Sequence, residues 1–147
     1  MKHEATQHRK LRQQTLQLLC QFDAGNEDVA LITDAQFDED AGSTREPDEK
    51  ALQLAKEIWE DRLVGDAQIE ALTPEWPIHR QPLIDRNILR LARYEIVTEL
   101  TPPVAAIDEA IELARIFSTE KSSSFVNGVL DCLYHQTTSD ESSSECG

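Results

Sequence analysis

Cations are scarce in this 147-residue chain, where 14 Lys and Arg stand against 28 Asp and Glu for a formal charge of −14. A uniformly basic nucleic-acid binder is thereby excluded. Only 5 Gly and 6 Pro are present and aromatic residues make up 5%, too little turn chemistry for an all-β fold. The supply of Leu, Ala, Ile and Glu argues instead for helix. No apolar run approaches the roughly 18 to 20 residues of a membrane span. The N-terminus is polar where a signal peptide carries its apolar core. A cytoplasmic protein with no membrane association is therefore expected. Cys20, Cys132 and Cys146 are odd in number and widely spaced, which gives neither a disulfide framework nor a zinc pattern.

The negative charge is unevenly placed. Residues 1–12 carry Lys2, Arg9, Lys10 and Arg12 against Glu4 alone, whereas residues 21–50 carry ten acids against Arg45 and Lys50. Residues 79–102 turn mildly basic again through Arg80, Arg86, Arg90 and Arg93. The chain thus holds two weakly basic islands and an acidic stretch over about 25–47. That stretch has few large apolar residues and reads as a solvated connection between helices. A Ser-rich acidic tail follows over 137–147, which leaves residues 1–136 as a single domain.

Apolar periodicity marks the helices. Leu11, Thr15, Leu18 and Phe22, flanked by Leu19, form one face of a helix over about 6–22, with Arg9, Lys10 and Arg12 in its early turns. Ala51, Leu52, Ala55, Ile58, Trp59 and Leu63 predict a second helix over about 48–63 that Gly65 ends. A short apolar piece at 67–72 leads to the breaks at Pro74 and Pro77. The run from Leu83 to about Glu99 has apolar residues on more than one side. Further stripes follow over 104–117 and 122–133, the last with Ser122 to Ser124 as candidate N-caps. The expected fold is all-α, a single compact domain of five to seven helices. Breaks near Gly65 and Pro74 to Pro77 divide it into two small packed bundles.

Catalytic groupings are missing. The four histidines, His3, His8, His79 and His135, are scattered, with no partner at metal-binding helical spacing. There is no Gly-rich phosphate loop and no nucleophile elbow. No enzymatic activity, no metal and no cofactor are therefore expected. Two segments remain as binding candidates. His8, Arg9, Lys10 and Arg12 either reach a phosphate backbone or only solvate a helix end. In the segment from Ser122 to Gly128, Phe125 either stacks an unpaired base while Asn127 holds phosphate or base edges, or is simply core.

The order of three motifs narrows the choice. The stretch from Asp85 to Glu95 (DRNILRLARYE), then Thr101-Pro102 with VAAIDEAIEL from Val104 to Leu113, then FVNGVLD from Phe125 to Asp131, resembles the NusB family of transcription antitermination factors. With the basic first helix leading into Leu16-Gln17-Leu18-Leu19, the resemblance covers about 9–131. It leaves out the acidic stretch and the tail.

The resemblance implies an all-α, non-enzymatic RNA-binding protein. Such a protein binds boxA-like single-stranded RNA together with a small-subunit ribosomal protein, NusE, in the RNA polymerase antitermination complex that supports ribosomal RNA synthesis. It places phosphate contacts on His8, Arg9, Lys10 and Arg12, and further RNA contacts on Lys121, Ser122, Phe125 and Asn127. Asp85 becomes the candidate for pairing with a basic residue of the ribosomal partner. Leu11 interrupts a cluster that relatives often carry as a denser arginine run, and His8 stands in for one cation. Arg90, Tyr94 and Glu95 read as internal polar braces, Arg90 and Tyr94 sharing one helix face.

Two alternatives compete with this reading. One is an acidic helical protein-protein adaptor with no RNA contact. The other is a NusB-like regulatory domain of the kind fused to RNA cytosine methyltransferases, against which the missing methyl-donor loop argues. On the main reading, intrinsic RNA affinity is modest and confined to one basic end. An acidic surface then suits a cationic ribosomal-protein partner.

Overall fold

The structure, a computed structural model, describes residues 2–25 and 48–138. The acidic stretch and nearly all of the tail therefore lie outside the described residues. Among the described residues, six α-helices and one 3-10 turn follow in order: α1 (Lys2–Asp23), α2 (Glu49–Glu60), α3 (Arg62–Leu72), the turn Ile78–Arg80, α4 (Leu83–Val97), α5 (Pro103–Phe117) and α6 (Glu120–Thr138). No strand occurs among the described residues, in agreement with the all-α expectation. The chain forms two compact units, Met1–Glu60 and Asp61–Gly147.

In the first unit α1 packs along α2. Leu16, Leu18, Leu19 and Phe22 are buried on α1, and Ala51, Ala55 and Ile58 on α2. The Phe22 and Trp59 rings meet at 5.9 Å between centroids. Thr15, fully buried within the α1 stripe, donates its hydroxyl to the Leu11 carbonyl at 2.7 Å, which satisfies the polar group that burial would otherwise penalise. Just past the end of α1, Gly25 takes a φ of +93°, the left-handed conformation common after a helix C-terminus, and its N–H bonds the Phe22 carbonyl at 3.0 Å. Helix α2 opens on Asp48, whose carboxylate accepts the Lys50 backbone N–H at 2.7 Å, an N-cap satisfying one orphan donor.

In the second unit α4 packs on α3, α5 and α6. It is buried on several sides, as its wide apolar face predicts, through Ile88, Leu89, Leu91, Ala92 and Ile96. Proline restricts the start of α5, with Pro102 at the N-cap and Pro103 in the first turn.

Three boundaries differ from the periodicity reading. The helix break falls at Asp61, and Gly65 lies inside α3 instead of ending a helix. A Cβ at Gly65 would stand 2.8 Å from Nη1 of Arg93, so glycine here admits a guanidinium from α4 and does not punctuate the chain. Helix α6 begins two residues before Ser122, with Thr119 as its cap: Oγ1 of Thr119 accepts the Ser122 backbone N–H at 3.0 Å. The same helix runs to Thr138, past the expected start of the tail at 137. Cys20, on α1, is a half-buried free thiol.

Helix α4 closes with the Leu100 N–H bonded to the Glu95 carbonyl at 2.9 Å and the Glu99 N–H to that of Ile96 at 3.1 Å. This is the Schellman pattern, and Glu99 occupies its left-handed position at φ 60°. A side chain is strained there. The Glu99→Gly variant is expected to be more stable by about 0.5–1 kcal/mol, read as a rise of a few degrees in the thermal midpoint.

Candidate nucleic-acid interface

In the first unit the early turns of α1 expose His8, Arg9 and Lys10, while Arg12 is buried at 8% relative exposure. The helical period explains the difference, since Arg12 precedes buried Leu16 and Leu19 by four and seven residues. Its long stem covers apolar surface. Of the expected stripe, Thr15, Leu18, Leu19 and Phe22 are buried and Leu11 is half-buried, with Arg12 joining the buried face beside it.

In the second unit the start of α6 carries the other candidates. Lys121 and Asn127 are exposed and Phe125 is half-buried, but Ser122 is buried. The Ser122 hydroxyl donates to Oδ2 of Asp85 at 2.7 Å, and Ser118 donates to Oδ1 at 2.8 Å. The Ser122 oxygen also lies 2.9 Å from Ser118 Oγ and 3.1 Å from Thr119 Oγ1. Asp85 itself is 1% exposed.

The two residues expected to contact ligands, Ser122 on RNA and Asp85 on the partner, therefore face each other inside the unit. Their geometry is that of a clamp between the first turns of α4 and α6, and neither is presented to solvent. The reason is chemical: a buried carboxylate requires hydrogen-bond donors, and Ser118 and Ser122 provide them. The Asp85→Ala variant removes the acceptor for both hydroxyls, with an expected loss of about 2 kcal/mol. Asp85→Asn keeps one acceptor and should lose about half of that; urea unfolding midpoints check the order.

The second basic island is also largely internal. Arg90 makes a two-pronged contact with Asp66, Nε to Oδ1 and Nη2 to Oδ2 both at 2.8 Å, and donates Nη1 to Asn87 at 2.9 Å. Arg93 donates to Asp61 at 2.6 Å and to Gln68 at 2.7 Å. Arg86 donates to the Gln81 carbonyl at 3.1 Å. These arginines hold α3 and the following turn to α4. Of the island's basic side chains, His79 and Arg80 remain exposed. Arg90 and Glu95 are the buried braces that the sequence suggests, Glu95 accepting from Thr101 Oγ1 at 3.1 Å.

One aromatic residue escaped the sequence reading. Trp76, between the breaks at Pro74 and Pro77, meets Phe125 edge-on with centroids 4.7 Å apart and ring planes at 63°. The only local sign was a tryptophan flanked by prolines in a polar connection, where no periodicity exists to locate it.

Among the described residues no group of three His, Cys, Asp or Glu side chains could hold a metal ion. No described helix is long and apolar enough to cross a membrane.

Comparison with known proteins places these features in a family. The sequence pattern of the NusB family matches residues 9–135. A transcription antitermination protein NusB from Solibacter usitatus is 41% identical over 128 residues, covering 85% of this chain and 86% of its own. The crystal form of NusB from T. maritima superposes with a TM-score of 0.69 at 33% identity, over 85% of this chain and 88% of that one. The solution structure of NusB from Aquifex aeolicus gives a TM-score of 0.69 at 25% identity, over 92% and 94% of the two chains.

Proposed function

Because the chain belongs to the NusB family and is a non-enzymatic transcription antitermination factor, like its relatives, we propose that it works by binding boxA-like single-stranded RNA jointly with the small-subunit ribosomal protein NusE. In that role it joins the RNA polymerase antitermination complex in the cytoplasm and supports ribosomal RNA transcription. The observation that carries the reading is the exposed His8, Arg9 and Lys10 at the start of α1 in a chain of net charge −14. The charges of Arg9 and Lys10 reach phosphate without burial cost, and the acids elsewhere repel non-specific nucleic acid.

Lys121 adds a further exposed cation and Asn127 an exposed amide on α6, suited to phosphate and to base edges respectively. Phe125 contributes aromatic surface beside them. Arg12, Ser122 and Asp85 are buried, and their part is to fix the helices that carry the contacting side chains. The acidic surface suits a cationic ribosomal protein, whose arrival adds positive charge for the RNA to meet.

Fluorescence anisotropy with a labelled boxA-like RNA and a scrambled control, each with and without NusE, tests the reading. Weak binding alone and tighter binding with NusE are expected, with boxA-like RNA preferred. Capture of NusE without RNA binding in any arm would select the protein-protein adaptor instead.

A further inference from the structure

We infer that Trp76 is the side chain on which one unpaired base of the bound RNA stacks, with Phe125 as its brace. This inference rests on the RNA-binding reading and adds a residue to it. The residue is 36% exposed although its backbone is held by hydrogen bonds at both its N–H and its carbonyl. The Trp76 N–H bonds to the Thr73 carbonyl at 3.0 Å, and the Trp76 carbonyl accepts from Nε2 of buried Gln81 at 2.9 Å. On either side, Thr73 Oγ1 donates to the Ile69 carbonyl at 3.2 Å and the Ile78 N–H to the Glu70 carboxylate at 2.8 Å. The turn is built to fix the indole in place while leaving part of it in water. Such fixing lowers the ordering cost of binding a flat partner.

Phe125 completes the arrangement. Edge-on contact at 4.7 Å holds the indole in one orientation, so the two rings make a braced platform. The indole N–H bonds to no described residue and is available to water or to a ligand. It lies in the ring plane, so with a base stacked on the ring it is aimed sideways, toward a ribose or phosphate oxygen of the adjoining nucleotide.

The aromatic surface, more than the charge, indicates the ligand class. Lys121 stands one helical turn before Phe125 on the same face of α6, and His79 and Arg80 follow Trp76 in the turn Ile78–Arg80. Lys121 and Arg80 are exposed and form no ion pair with a described residue, and the exposed acids Glu75 and Glu120 stand beside Trp76 and Lys121 in sequence. A flat exposed aromatic surface with two available cations matches single-stranded nucleic acid, where bases stack and phosphates take the cations.

The test uses the full chain with Trp59→Phe, which makes Trp76 the sole indole reporter, and a short labelled boxA-like RNA. Anisotropy of the label measures binding independently of the indole. The expected result is quenching of Trp76 emission that saturates with the anisotropy curve. Adding Trp76→Ala should weaken binding about tenfold with an unchanged salt slope, since a stack releases no counterions. Trp76→Phe should retain most of the affinity.

RNA binding with unchanged Trp76 emission, and with Trp76→Ala binding as tightly as its parent, would overturn the inference and leave the RNA reading standing. No anisotropy change at all would overturn both. If Trp76→Ala fails to fold by circular dichroism, abasic replacement along the RNA gives the same decision in the parent protein. One position whose base is needed for both quenching and affinity supports the stack, and the absence of any such position refutes it.

Discussion

Replacing Arg90 by Met is expected to lower folding stability by about 3 kcal/mol, read in urea as a reduced midpoint with an unchanged slope. The side chain is 7% exposed and its hydrogen bonds include two to Asp66 and one to Asn87. Methionine fills much of the same volume, so the loss comes chiefly from leaving the Asp66 carboxylate and the fully buried Asn87 amide oxygen without their donor. At 19% exposure the Asp66 side chain retains some access to water, which keeps the loss at the lower end for a broken buried pair. The double variant Arg90→Met with Asp66→Leu should recover a good part of it, because no unpaired charge then remains. A double variant as unstable as the single would show that the helix contact between α3 and α4 depends on packing of the arginine stem.

The second large effect concerns RNA. Removing Lys10 and Lys121 together is expected to weaken binding of boxA-like and scrambled RNA alike, by roughly tenfold at low salt. The plot of log affinity against log salt should become shallower by about 1.4, near 0.7 for each phosphate contact on a single strand. Both side chains are exposed, so the folded state should melt at nearly the parent temperature. This separates the variant from one at Arg12, where burial mixes any RNA effect with a folding defect. A parallel loss of affinity with an unchanged slope would mean that these lysines act other than through phosphate.

Helices and family were legible in the sequence because both rest on periodic or ordered patterns. The stripe through Ile88, Leu91, Ala92 and Ile96 and the motif from Phe125 to Asp131 predict buried α4 and the body of α6, and the structure agrees. What escaped depends on pairing between segments distant in sequence. Gly65 looks like a helix stop until Arg93, 28 positions later, is seen to need the space. Asp85 and Ser122 each look like a ligand contact until the 37-residue separation closes to 2.7 Å. The basic island at 79–102 looks like a surface until Asp61 and Asp66 are found against Arg93 and Arg90. Trp76 carries no period at all, and only its ring contact with Phe125 draws attention to it. Net charge misleads in the same way: it sums residues that face water with residues that face each other.

The claim that this acidic protein binds RNA through a few exposed cations is tested most directly by a salt titration. A labelled boxA-like RNA is titrated with the full chain, with and without NusE, at increasing monovalent salt. The account predicts binding at low salt, strengthened by NusE, with log affinity falling linearly as log salt rises and a slope corresponding to a few phosphate contacts. Affinity independent of salt, or no binding at low salt in either arm, would contradict it.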